Sequence, residues 1–491
     1  LSSGTARGVH TSVLTVLVGS ITLMIVARLL FWHVPAGNDE AGYLMIGNGW
    51  HHGSSVYGDY WVDRPPLMIW IMQLSGDLAT LRFLGLVTSV LTVLGVARAA
   101  YVARGSDAAR WAGAAAAVFS AAHWLGTPRV NGEMLAGAFV AWSFALTLQA
   151  VLRPSSRGSL LGVLSGALAA CAMLIKQTIA DGVVLAIVLF VVLAWQRSDD
   201  RRTATRVLGW GVAGAGLTVG AGLAGAAARG TSPKELFDAL VVFRFHAGEV
   251  VRTSASDATE YRLWALLAIW VVSGLAVVTV LACWHGAQTR EPVLLAAVGV
   301  IGVDSLLALL GGSYWGHYLL QLVPATALAV GLLADQVRPR LRTGLAVVIA
   351  VATLGNVAWA AVTQPSEDAE AEVVGHWLRD SRQQADTVVV AYGQPNVVSN
   401  AEMASPYPYL WSLPVRTLDP NLKELTAVLD GPGRPTWFVD WSGLESWGVD
   451  PSTLRVALRE HYRNVADLCG RTIWLRQDES RRLVAMPRNC P

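Results

Sequence analysis

The sequence predicts a polytopic α-helical membrane protein with about eleven transmembrane helices and a small C-terminal α/β domain. Three observations carry that expectation. Of 491 residues, 53% are hydrophobic and only 15% charged, more apolar surface than a water-soluble domain of this size hides in one core. The apolar residues also come in stretches near the length that crosses a bilayer. After Val362 the composition changes, with acids clustered at Glu367, Asp368, Glu370 and Glu372. Helices suit such a chain because hydrocarbon offers no partners for backbone polar groups, so each span must satisfy its own hydrogen bonds. A soluble enzyme is excluded. Nucleic acid is an unsuitable partner too, since 37 Lys+Arg against 35 Asp+Glu leaves a net charge of only +2.

Taken in chain order, the apolar stretches run from Val9 to Trp32, Leu78 to Tyr101, Arg110 to Leu125, Met134 to Leu152, Leu160 to Ile175 and Ile179 to Trp195. Five more run from Val207 to Ala228, Leu263 to Trp284, Pro292 to Leu310, His317 to Leu333 and Leu341 to Val362. Alternate loops are basic, with Arg104 and Arg110, Arg153 and Arg157, Arg197, Arg201, Arg202 and Arg206, Arg290, and Arg338, Arg340 and Arg342. Short basic loops stay in the cytoplasm, so the N-terminus is expected there. The loops 33–77 and 229–262 then face the other side, as does everything after Val362. The expected division is a transmembrane domain over 1–362, with the candidate site in its first outer loop, and an extracytoplasmic α/β domain over 363–491.

In the tail, an amphipathic stretch precedes Thr387-Val388-Val389-Val390-Ala391-Tyr392, which reads as a helix followed by a buried strand. Trp437-Phe438-Val439-Asp440, a helical pattern from Pro451 to Tyr462, and Thr472-Ile473-Trp474-Leu475 complete an α/β pattern. Cys171 and Cys283 lie in apolar spans and are expected to be inert. Cys469 and Cys490 both fall in the tail, where an oxidising compartment would let them pair as a structural staple.

The first outer loop has the densest chemistry: Gly37-Asn38-Asp39-Glu40-Ala41-Gly42-Tyr43, then Gly58-Asp59-Tyr60-Trp61-Val62-Asp63-Arg64-Pro65-Pro66-Leu67. A carboxylate directly after a membrane helix is poorly solvated, which suits a general base. Asp39 is the first candidate for that base. Its competing role is to cap a helix beginning near Glu40. Arg64 stands before a proline pair that leads into an amphipathic segment, Leu67 to Leu74. A guanidinium offers a bidentate fork to phosphate oxygens and stays charged near lipid, so Arg64 suits a lipid-linked phosphate. The competing role is snorkelling to headgroups.

The Asp-Glu pair after the first span, the Tyr three residues beyond the Glu, and the basic-Pro-Pro-apolar run resemble the polyprenyl-phosphate-dependent GT-C glycosyltransferases. That group includes the protein O-mannosyltransferases (glycosyltransferase family 39) and the lipid A aminoarabinose transferases. Gly312-Ser313-Tyr314-Trp315-Gly316-His317-Tyr318-Leu319-Leu320-Gln321-Leu322-Val323-Pro324 is similar to the family's late-helix motif, and Lys176 in Leu174-Ile175-Lys176-Gln177 to its Lys after a central span. The resemblance covers roughly residues 10 to 335. It implies a GT-C membrane enzyme that moves a sugar from a polyprenyl-phosphate donor to a glycan, lipid or protein acceptor of the cell envelope, with inversion; the short loop 229–262 and a composition rich in Arg, Ala, Gly and Trp point to the bacterial plasma membrane. Mannose and arabinose donors both fit.

Carried over, the resemblance makes Asp39 the catalytic base and Glu40 a supporting acid. Arg64 becomes a donor-phosphate ligand, joined by Lys176, His317 and Tyr318. Glu133 and Tyr43 are then acceptor or supporting residues, with Glu133 placed to orient the acceptor or a basic side chain; apart from the resemblance, Arg244 and His246 stand beside Glu249 and Arg252 in the long outer loop, a mixed-charge segment suited to close over donor or acceptor. Read on their own, Glu133 is equally a helix-start acid, Lys176 a snorkelling Lys, His317 and Tyr318 part of an aromatic belt, and the Arg244 loop simple surface. Two departures stand out. The family frequently has Lys where Arg64 stands, and the loop 229–262 has no room for the β-rich domain of the eukaryotic protein mannosyltransferases. No metal is required, because a clamped lipid phosphate is a competent leaving group and no ligand spacing argues for one; divalent-ion dependence stays open. Two other classes compete: a transporter or flippase of lipid-linked saccharides, and a noncatalytic envelope scaffold. A transporter predicts ionisable groups near the midplane and paired broken helices, whereas these candidates cluster at one outer face.

Overall fold

A computed structural model of the chain describes residues 3–253, 257–334, 336–362, 366–487 and 489–491. The expected domain boundary at 362/363 and residues 254–256 lie at or outside the limits of the described residues. In chain order the helices of the first half are α1 (Ser3–Leu29), α2 (Asn38–Gly49), α3 (Pro66–Ser75), α4 (Leu78–Arg104), α5 (Ser106–Ala121), α6 (Gly132–Leu152), α7 (Gly158–Ile175), α8 (Asp181–Trp195) and α9 (Arg201–Arg229). Then come α10 (Pro233–Phe237), a π turn over Asp238–Val242, α11 (Phe243–Thr253), α12 (Asp257–Val272), α13 (Leu275–Thr289), α14 (Pro292–Leu310), α15 (Val323–Leu333) and α16 (Pro339–Val362). The tail holds α17 (Ser366–Ser381), β1 (Val388–Ala391), α18 (Pro395–Asn400), α19 (Ser412–Leu418), α20 (Lys423–Asp430), β2 (Trp437–Asp440), α21 (Ser452–His461), β3 (Tyr462–Leu468) and β4 (Arg471–Arg476).

Each apolar stretch of the sequence becomes helical, but not always as one span. Among the described residues six helices are long and apolar enough to cross a bilayer, or seven if the bent pair α12–α13 is a single span. Three of the expected spans form helices shorter than a crossing: α5 with 16 residues, α8 with 15 and α15 with 11. The stretch Leu263 to Trp284 breaks by 65° between α12 and α13. Gly274 sits at the break with φ +83°, a left-handed conformation that a β-carbon disfavours, and Ser273 Oγ accepts the Leu275 N–H at 3.5 Å. His317 to Leu333 is likewise divided, into a 3-10 turn over Gly316–Leu320 and α15, whose first turn contains Pro324.

Chain contacts divide the protein into two compact units: Leu1–Trp32, Leu81–Ala224 and Ser256–Thr363; and His33–Thr80, Gly225–Ala255 and Gln364–Pro491. In the first unit, small residues let helices approach closely. A methyl group added at Gly166 would run into the Gly211 carbonyl, and one at Gly214 into the Val163 carbonyl, so α7 and α9 meet backbone to backbone. Its interior also buries Asp181 and Asp304, bridged by Gln321, whose Nε2 donates to Asp304 at 2.7 Å and to Asp181 at 3.3 Å.

The second unit joins the segments 33–80 and 225–255 to the tail. Its sheet has the order β1-β2-β4-β3, with β1 and β2 parallel and the other pairs antiparallel. Alternate residues point to opposite faces, so both faces are buried. Val388, Val390, Trp437 and Val439 pack with Val374, Trp377 and Leu378 of α17. On the other face Val389, Ala391 and Phe438 pack with Leu425 and Leu429 of α20 and Leu454 and Leu458 of α21. β1, β2, α21 and β4 match the sequence pattern; β3 and the short helices α18 to α20 were not foreseen. Cys469 and Cys490 are joined, their Cα atoms 5.4 Å apart.

Candidate functional site

The candidate residues fall into two clusters, one in each unit. In the second unit α2 begins one residue after Gly37, and its first turn contains both acids. Glu40 turns inward, fully buried, and accepts the Gly37 N–H at 3.2 Å. The helix-capping task therefore falls to Glu40 and not to its neighbour. Asp39 is half-buried, and its Oδ1 accepts the indole N–H of Trp411 at 3.2 Å.

From Trp411 the cluster continues through aromatic contact. Its ring lies 5.1 Å from that of Tyr43, which is buried on α2, and the Arg64 guanidinium lies over Tyr43 at 5.5 Å from the ring centre. Arg64 is placed by the turn before Pro65 and Pro66, where proline fixes the backbone and opens α3. Its Nη1 meets Asp63 Oδ1 at 2.6 Å, and the other oxygen of Asp63 meets Arg244 Nη2 at 2.6 Å. Tyr57 donates its hydroxyl proton to the Arg64 carbonyl at 3.3 Å; burial, reinforced by the Asp63 charge, pushes this phenol far above its usual range, so it remains a donor. The trio of Arg64, Asp63 and Arg244 carries a net charge of +1, with the two guanidiniums oriented by one carboxylate.

Arg244 reaches Asp63 because Phe243 and Ala247 anchor α11 on their buried face, with Phe243 against Trp61 at 4.3 Å between ring centres. His246, on the same helix, is exposed. The structure thus brings Asp39, Tyr43, Arg64 and Arg244 into one run of contacts and leaves His246 outside it. Sequence reasoning gave no role to Asp63 or Trp411. Asp63 stood next to a singled-out Arg, but nothing local announces Arg244 as its second partner, and nothing in the tail marks Trp411.

The second cluster belongs to the membrane unit. Asn131 caps α6 by accepting the Met134 N–H at 3.0 Å, which sets Glu133 in the first turn, 4% exposed. Lys176 ends α7 and turns inward, so it does not snorkel: its Nζ meets Glu133 Oε1 at 2.5 Å and lies 4.5 Å from the centre of the Tyr318 ring. His317 packs edge-on against Tyr318 at 5.0 Å. A cavity of about 20 Å³, room for about one water, is lined by Glu133 with Ser89, Thr92, Ser120 and Thr127. Among the described residues no group of three or more His, Cys, Asp or Glu side chains is placed to hold a metal ion.

Comparison with known proteins bears on the fold. A family model described as dolichyl-phosphate-mannose-protein mannosyltransferase matches residues 63–221, beginning at Asp63. No curated protein matches the chain. Among solved structures, ArnT from Cupriavidus metallidurans bound to undecaprenyl phosphate is similar with a TM-score of 0.57 and 15% identity, over 96% of this chain and 98% of that one. The oligosaccharyltransferase AglB from Archaeoglobus fulgidus, in complex with an inhibitory peptide and a dolichol-phosphate, gives 0.58 and 15%, over 92% and 72%. The apo form of the oligosaccharyltransferase from the same archaeon gives 0.54 and 14% over 79% of this chain, which spans 64% of that protein's length. The chain has the GT-C glycosyltransferase fold.

Proposed function

We propose that the protein is a membrane glycosyltransferase that moves a sugar from a polyprenyl-phosphate donor to a cell-envelope acceptor at the outer face of the bacterial plasma membrane. The observation that carries this reading is the pair of arginines, Arg64 and Arg244, held by one carboxylate in the same run of contacts that ends on Asp39. The lipid phosphates in the ArnT and AglB complexes support a donor of that class. In the proposed step Asp39 takes the proton of the acceptor hydroxyl as its oxygen attacks the anomeric carbon. The bond from that carbon to the phosphate oxygen breaks, and the polyprenyl phosphate leaves with the electron pair. Arg64 and Arg244 offset the charge it gains, an effect strengthened where water is scarce. Single displacement inverts the anomeric centre. Lys176 takes no part in this step, because Glu133 already offsets its charge.

Two observations favour a second reading. The buried Asp181–Gln321–Asp304 group and the bent pair α12–α13 are features that a transporter of lipid-linked saccharides would use. Purified protein in nanodiscs, given radiolabelled polyprenyl-phosphate mannose or arabinose and a cell-envelope fraction, separates the two. Covalent transfer of label supports the enzyme. Donor movement in sealed vesicles without any transfer supports the transporter.

A further inference from the structure

The tail enters the first cluster at Trp411. Residues 405–411 are pinned to the first outer loop at three points: the Ser405 N–H donates to the Tyr60 hydroxyl at 3.0 Å, the Trp61 N–H donates to the Pro408 carbonyl at 3.0 Å, and the Trp411 indole donates to Asp39 at 3.2 Å. The indole has little room to move. Tyr43 lies beside it, and Gly42 makes space for its ring, since a β-carbon at Gly42 would collide with Trp411 and sit 3.0 Å from Pro395. Asp39, Gly42 and Tyr43 share one face of α2 by their spacing, so the indole is pressed against the helix that carries the acid. A residue serving only to fill space there needs no N–H donor.

We propose that Trp411, supplied by the C-terminal domain, is a positioning residue for Asp39: its N–H holds Oδ1 and so turns Oδ2 toward the acceptor hydroxyl. This rests on the reading of Asp39 as the base. It gives the tail a task in transfer itself, because an acid free to rotate spends less time aligned with the attacking oxygen. The same indole touches Tyr43, on which Arg64 lies, so one side chain of the tail borders both the base and the phosphate clamp.

The test replaces Trp411 by Phe, and separately by benzothienylalanine, an isostere whose sulfur stands where the N–H was. Each variant, and Asp39→Asn, is compared with the wild-type full chain in nanodiscs for polyprenyl-phosphate binding and for transfer from polyprenyl-phosphate mannose or arabinose. Loss of a hydrogen bond to a charged group predicts a fall in kcat of about 10- to 100-fold, with donor Kd within about twofold of wild type. The isostere must reproduce the Phe result, which a role in packing alone would not give. Wild-type kcat in both variants, with Asp39→Asn inactive, overturns the role of Trp411 and leaves the base reading intact. Parallel losses of Kd and kcat in the isostere also overturn it, since they mark a structural part. Full activity of Asp39→Asn sinks the base reading itself.

Discussion

Asp63 divides its carboxylate between two arginines, Oδ1 on Arg64 and Oδ2 on Arg244, each at 2.6 Å. The two cations come from distant parts of the chain, one just before α3 and one on α11. On charge alone, removing Asp63 should tighten the binding of a phosphate. On geometry it should do the reverse, because the guanidiniums lose the group that aims them.

The geometric account predicts that Asp63→Ala weakens polyprenyl-phosphate binding about tenfold despite raising the local positive charge. Arg64→Lys keeps the charge but loses the fork, and should weaken binding by a similar factor. Titrating donor into nanodisc-embedded variants at two salt concentrations checks both. Tighter binding by Asp63→Ala would show that net charge governs the site.

Glu133 and Lys176 form a pair that little water reaches, with side chains 2% and 10% exposed. Breaking such a pair leaves one charge unmatched, at a cost of about 3–5 kcal/mol, whereas removing both is far milder. Glu133→Gln and Lys176→Met should each lower the unfolding midpoint strongly, and the double variant should recover most of the loss. A double-mutant cycle of detergent melts measures this.

A third expectation concerns pH and the tail. Asp386 is buried, which alone would raise its pKa, but hydrogen bonds from Arg481, the Gln383 N–H and Trp437 outweigh that and hold the carboxyl below its usual range. A carboxyl with a lowered folded-state pKa contributes stability that is complete above its unfolded value, about 4, and is lost as pH falls through the folded value. Asp386→Asn should therefore be less stable than wild type at neutral pH, and the gap should narrow below about pH 4. Tryptophan fluorescence during urea unfolding across pH follows the difference.

How much of this was legible beforehand depends on the range of the interaction. The apolar stretches gave helix positions to within about six residues, because each span answers to its own composition. Gly274 was harder to read: one glycine in an apolar run looks continuous, and only its positive φ reveals the break. β3 hides in Tyr462–Leu468, whose alternation is mostly polar on the exposed side. The partners of the candidate acids were out of reach. Asp39 and Trp411 are 372 positions apart, and Glu133 and Lys176 are 43 apart on different helices, so only packing could pair them.

The central claim is that Asp39 acts as the base toward a lipid-phosphate sugar, and one assay addresses it most directly. Wild type and Asp39→Asn in nanodiscs are given radiolabelled polyprenyl-phosphate mannose or arabinose with a cell-envelope fraction, and donor affinity is measured alongside transfer. The account predicts transfer by the wild type and a loss of about 10²- to 10⁴-fold in the variant, with donor affinity retained. Undiminished transfer by Asp39→Asn would contradict it.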